Sequence, residues 1–151
     1  MIDILCKTFS DTAKVPSQKH ESDFGFDLVA DTCVELAPNV YQYECNIAFQ
    51  TIPSDKFPQD EWSYSIDIRC RSSIWETGMI LANAIGTVDI DYRGRVKCIF
   101  YHVLPNMPKY NVGDKIAQCM LVIAPKIKFT EVDELDMNTS RGTDGFGSTG
   151  K

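Results

Sequence analysis

An all-β fold, a sandwich or jelly roll, is what the sequence predicts, and three observations carry that expectation. Trp62, Tyr64, Ile66 and Ile68 alternate with Ser63, Ser65, Asp67 and Arg69, the period-two pattern of a strand with one wet face. Two longer runs, 96–104 and 116–124, are apolar and strongly β-forming; the first reads as a central strand with both faces apolar, and the second reads the same way. Turn signals fall between such runs at 53–58, 92–94, 105–108 and 111–114.

Shorter strands are expected at 2–9, 26–30, 40–50, 79–81 and 126–131, and Pro125 should end the run before it. Residues 72–77 predict one short helix capped by a serine. No internal repeat or low-complexity run interrupts the pattern. The expected organisation is a single domain over 1–151: an ordered β body to about 132, a polar linker at 133–140, and a glycine-rich arm at 141–151.

Composition narrows the functions. With 44% hydrophobic and 24% charged residues the chain is globular rather than disordered. Its 15 Lys and Arg against 21 Asp and Glu give a net charge of −6, which argues against duplex DNA or RNA as a partner. An acidic protein handling an anionic substrate must gather its cations locally or recruit a metal ion. The cysteines at 6, 33, 45, 70, 98 and 119 include no C-x-x-C pair, and His20 and His102 stand far apart, so no zinc spacing exists. Cys98 and Cys119 lie in apolar runs and read as small buried hydrophobes. No secretory leader or membrane-length apolar run is visible, so a soluble protein of a reducing, intracellular compartment is expected, cytoplasm or nucleus left open.

The most informative stretch is 141–151. Gly142, Gly145, Gly147 and Gly150, the hydroxyls of Ser148 and Thr149, and the cations Arg141 and Lys151 can together wrap a polyphosphate. Phe146, set between glycines, can lay its ring against a planar base. A frayed terminus is the plainer alternative. Residues 145–151 also read G-x-x-x-x-G-K, close to a phosphate-binding P-loop. That motif needs a strand before it and a hydroxyl and a helix after it, so a P-loop nucleotidase is not expected.

Upstream, four more segments complete a series: Gly25-Phe26-Asp27-Leu28; Arg71-Ser72-Ser73; Gly86-Thr87-Val88-Asp89-Ile90-Asp91-Tyr92-Arg93-Gly94; and Gly113-Asp114-Lys115-Ile116-Ala117-Gln118. Each alone is weak. In this order, from Gly25 to the end, they resemble the homotrimeric dUTP pyrophosphatase (dUTPase) family. The resemblance implies a jelly-roll (β-clip) subunit in a homotrimer whose three active sites lie at subunit junctions. Each site would take phosphate-binding segments from one chain, the uracil hairpin from a second and the glycine arm from a third. The implied reaction is hydrolysis of dUTP to dUMP and pyrophosphate with Mg²⁺, which limits uracil in DNA and supplies dUMP for dTMP synthesis.

Attack on a triphosphate needs an in-line water, neutralised oxygens and a base. By resemblance Asp89 is the base, and Gln118 holds the water and touches the α-phosphate; a turn-capping Asp and a strand-edge amide are the plainer readings. Arg71, Ser72 and Ser73 would bind inner phosphates, against a simple helix cap. Asp27 would hold a hydrated Mg²⁺ through water or brace the site, against a turn-stabilising role. Main-chain groups across 83–89, Gly86 and Val88 among them, would read uracil with help from the Asn83 side chain. Wrongly paired buried groups cost about 1–3 kcal/mol each, enough to reject cytosine. Tyr92 would pack on deoxyribose and exclude a 2′-hydroxyl, against core filler. Phe146 would stack on the base while Arg141, Gly147, Ser148 and Thr149 clasp the γ-phosphate.

Ser73 stands where the family pattern has Gly, Thr87 replaces an aliphatic residue, and 53–61 looks long for a compact member. Two rivals remain: a dCTP deaminase on the same β body, which normally lacks the Gly-Phe-Gly tail, and a non-catalytic nucleotide sensor.

Overall fold

The computed structural model describes residues 2–143. Among them are ten strands and one short 3-10 helix, Ser72–Glu76. The strands are β1 (Asp3–Thr8), β2 (Phe26–Val29), β3 (Thr32–Ala37), β4 (Val40–Glu44), β5 (Ile47–Ile52), β6 (Trp62–Arg69), β7 (Met79–Leu81), β8 (Gly86–Asp89), β9 (Lys97–His102) and β10 (Lys115–Pro125). They form a β1-β5 pair and two four-stranded sheets, β2-β10-β6-β8 and β3-β4-β9-β7, with antiparallel pairing in each. This is a jelly roll, as expected.

One apolar cluster joins the two larger sheets: Leu28, Ile66, Ile68 and Ile116 from one, and Tyr43, Cys98 and Phe100 from the other. Tyr43, Phe100 and Tyr110 meet edge to face at centroid separations of 5.5–6.3 Å, and the Tyr43 hydroxyl donates to the Tyr110 carbonyl at 2.7 Å. Cys45, Cys98 and Cys119 are buried. A hydrogen bond with Cys98, with burial behind it, pushes the Cys45 thiol up, and burial pushes Cys119 to about 12. Such thiols stay protonated and behave as apolar filler.

The alternation over Trp62–Arg69 appears as read, with Tyr64, Ile66 and Ile68 buried. β9 is an inner strand between β4 and β7, but only one of its faces is covered: Cys98 and Phe100 are buried while Ile99 and Tyr101 are exposed. The expected strand 40–50 breaks in two at Asn46, which takes a left-handed φ of 49°. Its side-chain amide donates to Asp31 and its side-chain oxygen accepts from Arg95 at 3.1 Å, so the chain turns out of one sheet and into the β1-β5 pair. β3 has no counterpart among the expected strands, because Val34 and Leu36 on its outer side blunt the contrast that alternation needs. The helix is 3-10 and its N-cap is Arg71 without a side-chain cap bond, which corrects the expected serine cap.

Residues 126–131 do not form the expected strand. Ile127 is 75% exposed and Phe129 91%, and past Lys126, whose N–H donates to the Glu61 carbonyl at 2.8 Å, the segment belongs to no strand pair among the described residues of its own chain. The loop at 53–61 folds back on β6: Phe57 meets Trp62 edge-on at 4.9 Å, and the Tyr64 hydroxyl donates to the Phe57 carbonyl.

Candidate active site

The first half of the site grows from strand register. β10 lies between β2 and β6, so Gln118 faces Asp27 on one side and Arg69 on the other. Two residues past β6, Arg71 heads the 3-10 helix and turns back: its Nε donates to Asp27 Oδ1 at 3.0 Å. Lys115, at the start of β10, reaches the other oxygen at 2.8 Å. Partial burial pushes the Asp27 carboxyl up, yet the bonds from Lys115 and Arg71 outweigh it and hold the group below its ordinary range. Asp27 is thus the strut between two cations, whatever else it touches.

Gln118 Nε2 donates to the Cys70 carbonyl at 3.1 Å, which fixes the amide plane. A Cβ at Gly25 would sit 2.5 Å from Gln118 Oε1, so only glycine leaves this amide its place. Lys19, Asp23, Phe24, Gly25, Asp27, Arg71, Ser72, Lys115 and Gln118 open onto one pocket of about 330 Å³. Three cations line it in a protein of net charge −6. Ser73 faces the neighbouring groove instead, its hydroxyl accepting from Arg71 Nη1 at 3.3 Å.

The second half is the hairpin around β8. Ala84 holds a left-handed φ of 56° between Asn83 and Ile85, a conformation costly for a residue with a Cβ and a sign of local constraint. A Cβ on Gly86 would lie 3.1 Å from Asn83 Nδ2, so this glycine seats the Asn83 amide. After β8 the turn closes through main chain, Tyr92 N–H donating to the Asp89 carbonyl at 3.1 Å. The Asp89 carboxylate is exposed and has no hydrogen bond or ion pair among the described residues, so it does not cap the turn. The hydroxyl end of Tyr92 rests against Gly94, where a Cβ would come within 2.3 Å of its oxygen. That hydroxyl donates to the Arg95 carbonyl at 3.3 Å, and at 47% exposure Tyr92 is not core filler. Asn83, Gly86, Thr87, Val88, Asp89 and Tyr92 line a pocket of about 210 Å³.

The halves do not meet within one chain. Asp89 pairs with Ser65 on one side of β6, whereas Gln118 pairs with Arg69 on its other side, four residues further along and two strand spacings away. At ordinary strand rise and spacing this puts their backbones about 16 Å apart, too far for both side chains to hold one water. The two pockets share no lining residue. Arg141 is exposed where the arm begins, and Phe146, Gly147, Ser148 and Thr149 lie outside the described residues. Lys115 and Gly25 drew no assigned role from the sequence, because their contacts with Asp27 and Gln118 depend on a register that spacing alone does not reveal.

No group of three or more His, Cys, Asp or Glu side chains that could cage a metal occurs among the described residues. Both oxygens of Asp27 already meet cations, so it would touch a metal ion only through that ion's water. No helix among the described residues is long and apolar enough to cross a membrane.

Fold and half-sites define a jelly-roll protein with a cation-lined pocket on one flank and a backbone-rich hairpin cleft on the other. A sequence profile of the family described as dUTPase matches residues 11–150, and the chain belongs to that family. The deoxyuridine 5'-triphosphate nucleotidohydrolase of Helicobacter pylori strain Shi470 is 36% identical over 140 residues, covering 91% of this chain and 90% of its own. The enzyme of the same name from Streptomyces griseus is 34% identical over 151 residues, covering 99% of this chain and 81% of its own. Among solved structures, the Staphylococcus bacteriophage 80alpha dUTPase with dUPNHPP superposes with a TM-score of 0.75 at 22% identity, covering 99% of both chains. At that identity the likeness speaks for the fold.

Proposed function

We propose that the protein hydrolyses dUTP to dUMP and pyrophosphate in sites assembled from more than one copy of the chain, as a homotrimer. The separation of Asp89 from Gln118 is the observation that carries this reading. Each chain offers a cation-lined pocket whose two carboxylates, Asp23 and Asp27, already accept from His20 N–H and from Arg71 and Lys115, and an unengaged carboxylate away from that pocket; juxtaposing two copies makes both complete. The unpartnered strand-forming segment 126–131, with Phe129 bare, supports association as well.

In the assembled site the Asp89 carboxylate accepts a proton from the attacking water as its oxygen bonds to the α-phosphorus and the bond to the pyrophosphate oxygen breaks. Asp89 suits this because nothing among the described residues of its own chain occupies its lone pairs. Gln118, with its amide fixed by Cys70, orients that water and the α-phosphate. Ser72 and Arg71 hold the inner phosphates. Mg²⁺, when bound on the phosphates, supplies charge neutralisation at their oxygens. The main chain of the hairpin reads the uracil edge, Asn83 adds its amide, and the ring of Tyr92 on Gly94 forms the wall that excludes a ribose hydroxyl. The arm, through Arg141, Phe146, Gly147, Ser148 and Thr149, closes over base and γ-phosphate and excludes water.

Phosphate detection with malachite green in the presence of pyrophosphatase, run across dUTP, dCTP, dTTP and UTP, tests the reading. Release from dUTP alone is expected. Ammonia from dCTP would identify a deaminase, and no turnover of any nucleotide would leave a binding protein.

A further inference from the structure

We infer that Lys19 is a further phosphate-binding residue, the cation that meets the pyrophosphate end of the triphosphate; this rests on the dUTP reading above. Lys19 lines the same pocket as Ser72, Arg71, Lys115 and Gln118. Of the three cations there, Arg71 and Lys115 both spend their charge on Asp27, at 3.0 and 2.8 Å. Lys19 has no ion pair or hydrogen bond among the described residues. Other lysines lie over aromatic rings: Lys7 over Phe9, Lys56 over Phe57 and Lys109 over Tyr41. Lys19 has no such seat among the described residues, and its charge stays undivided.

The loop that carries Lys19 is braced. Asp27 N–H donates to the Ser17 carbonyl at 2.8 Å, joining the loop's start to edge strand β2. Asp23 N–H donates to the His20 carbonyl at 3.0 Å, His20 N–H donates to Asp23 Oδ2 at 2.9 Å, and the Gln18 amide donates to the Asp23 carbonyl. The ammonium therefore swings on a flexible stem from a fixed root. Its place in the order of the pocket assigns its phosphate. Gln118 belongs to the inner strand β10, Gly25 rests against it, and the Lys19 loop lies outside both. Gln118, Ser72 and Arg71 serve the inner phosphates, and Lys19 joins the arm in meeting the outer ones. The lining side chains carry three positive and two negative charges, and without Lys19 they would balance to zero against a highly charged anion.

The test compares wild type, Lys19→Ala and Lys19→Arg in binding the α,β-imido analogue of dUTP and, separately, dUMP. An exposed contact of this kind predicts about a fivefold loss of analogue affinity in Lys19→Ala, no change for dUMP, and recovery in Lys19→Arg. The loss should shrink as salt rises. In turnover, KM for dUTP should rise by more than kcat falls. Equal losses for analogue and dUMP, or no loss at all, would overturn the inference while wild-type dUTPase activity stands. Wild-type protein that releases no pyrophosphate from dUTP would overturn the parent reading, and this one with it.

Discussion

The two halves of the site are built on opposite physical plans. On the phosphate side, side chains are locked by one another: Asp27 ties Arg71 to Lys115, Cys70 holds Gln118, and Gly25 leaves the amide room. On the hairpin side, the main chain is fixed, with Ala84 left-handed and Tyr92 set against Gly94, while the carboxylate of Asp89 is unengaged among the described residues. Phosphates need charge in fixed places, so the first half is cross-braced before substrate arrives. A base needs donors and acceptors of fixed polarity, which backbone supplies, and a general base needs free lone pairs.

The contrast breaks most sharply at Asp89. Asp89→Asn keeps volume but removes the base, so pyrophosphate release should fall about a thousandfold or more while binding of the imido analogue persists. Release at the wild-type rate would mean that the free carboxylate is incidental. Removal of residues 141–151 should cut turnover about a hundredfold by leaving the site open, with little shift in Tm. A collapse of melting would instead make the arm part of the folded body.

On the braced side, Gly25→Ala should lower kcat by about ten- to a hundredfold, because a Cβ 2.5 Å from Gln118 Oε1 must displace the amide that the proposed mechanism uses. Unchanged kcat would show that this amide does not position the reaction. The smallest effect concerns acid. Asp27 has a folded pKa below its ordinary 3.8, so its share of stability is complete above about that pH and is lost as pH falls through the folded value. The fall of Tm below about pH 4 should therefore be shallower in Asp27→Asn than in wild type. Identical slopes would remove the strut from the account.

How much of this could be read from the sequence differs between the same two halves. The hairpin residues stand close together, so Asp89, Tyr92 and Gly94 are legible as one local motif. The strut is not: Asp27, Arg71 and Lys115 lie 44 residues apart at each step and meet only through the β2-β10-β6 register. In the body, the Trp62–Arg69 alternation is plain because apolar and polar residues contrast at every step. The break at Asn46 is hidden inside an otherwise continuous β-forming run, where one left-handed residue changes sheet. The segment 126–131 has a strand's pattern without a strand's partner, a property of the single chain that no pattern records.

The claim on which the rest depends is that Asp89 of one copy and Gln118 of another act on the same water. Asp89→Asn and Gln118→Ala, each inactive alone, should be co-expressed so that mixed oligomers form. Sites receiving the intact residue from each variant should then restore about a quarter of wild-type pyrophosphate release. A mixture as inactive as its two components would contradict the account.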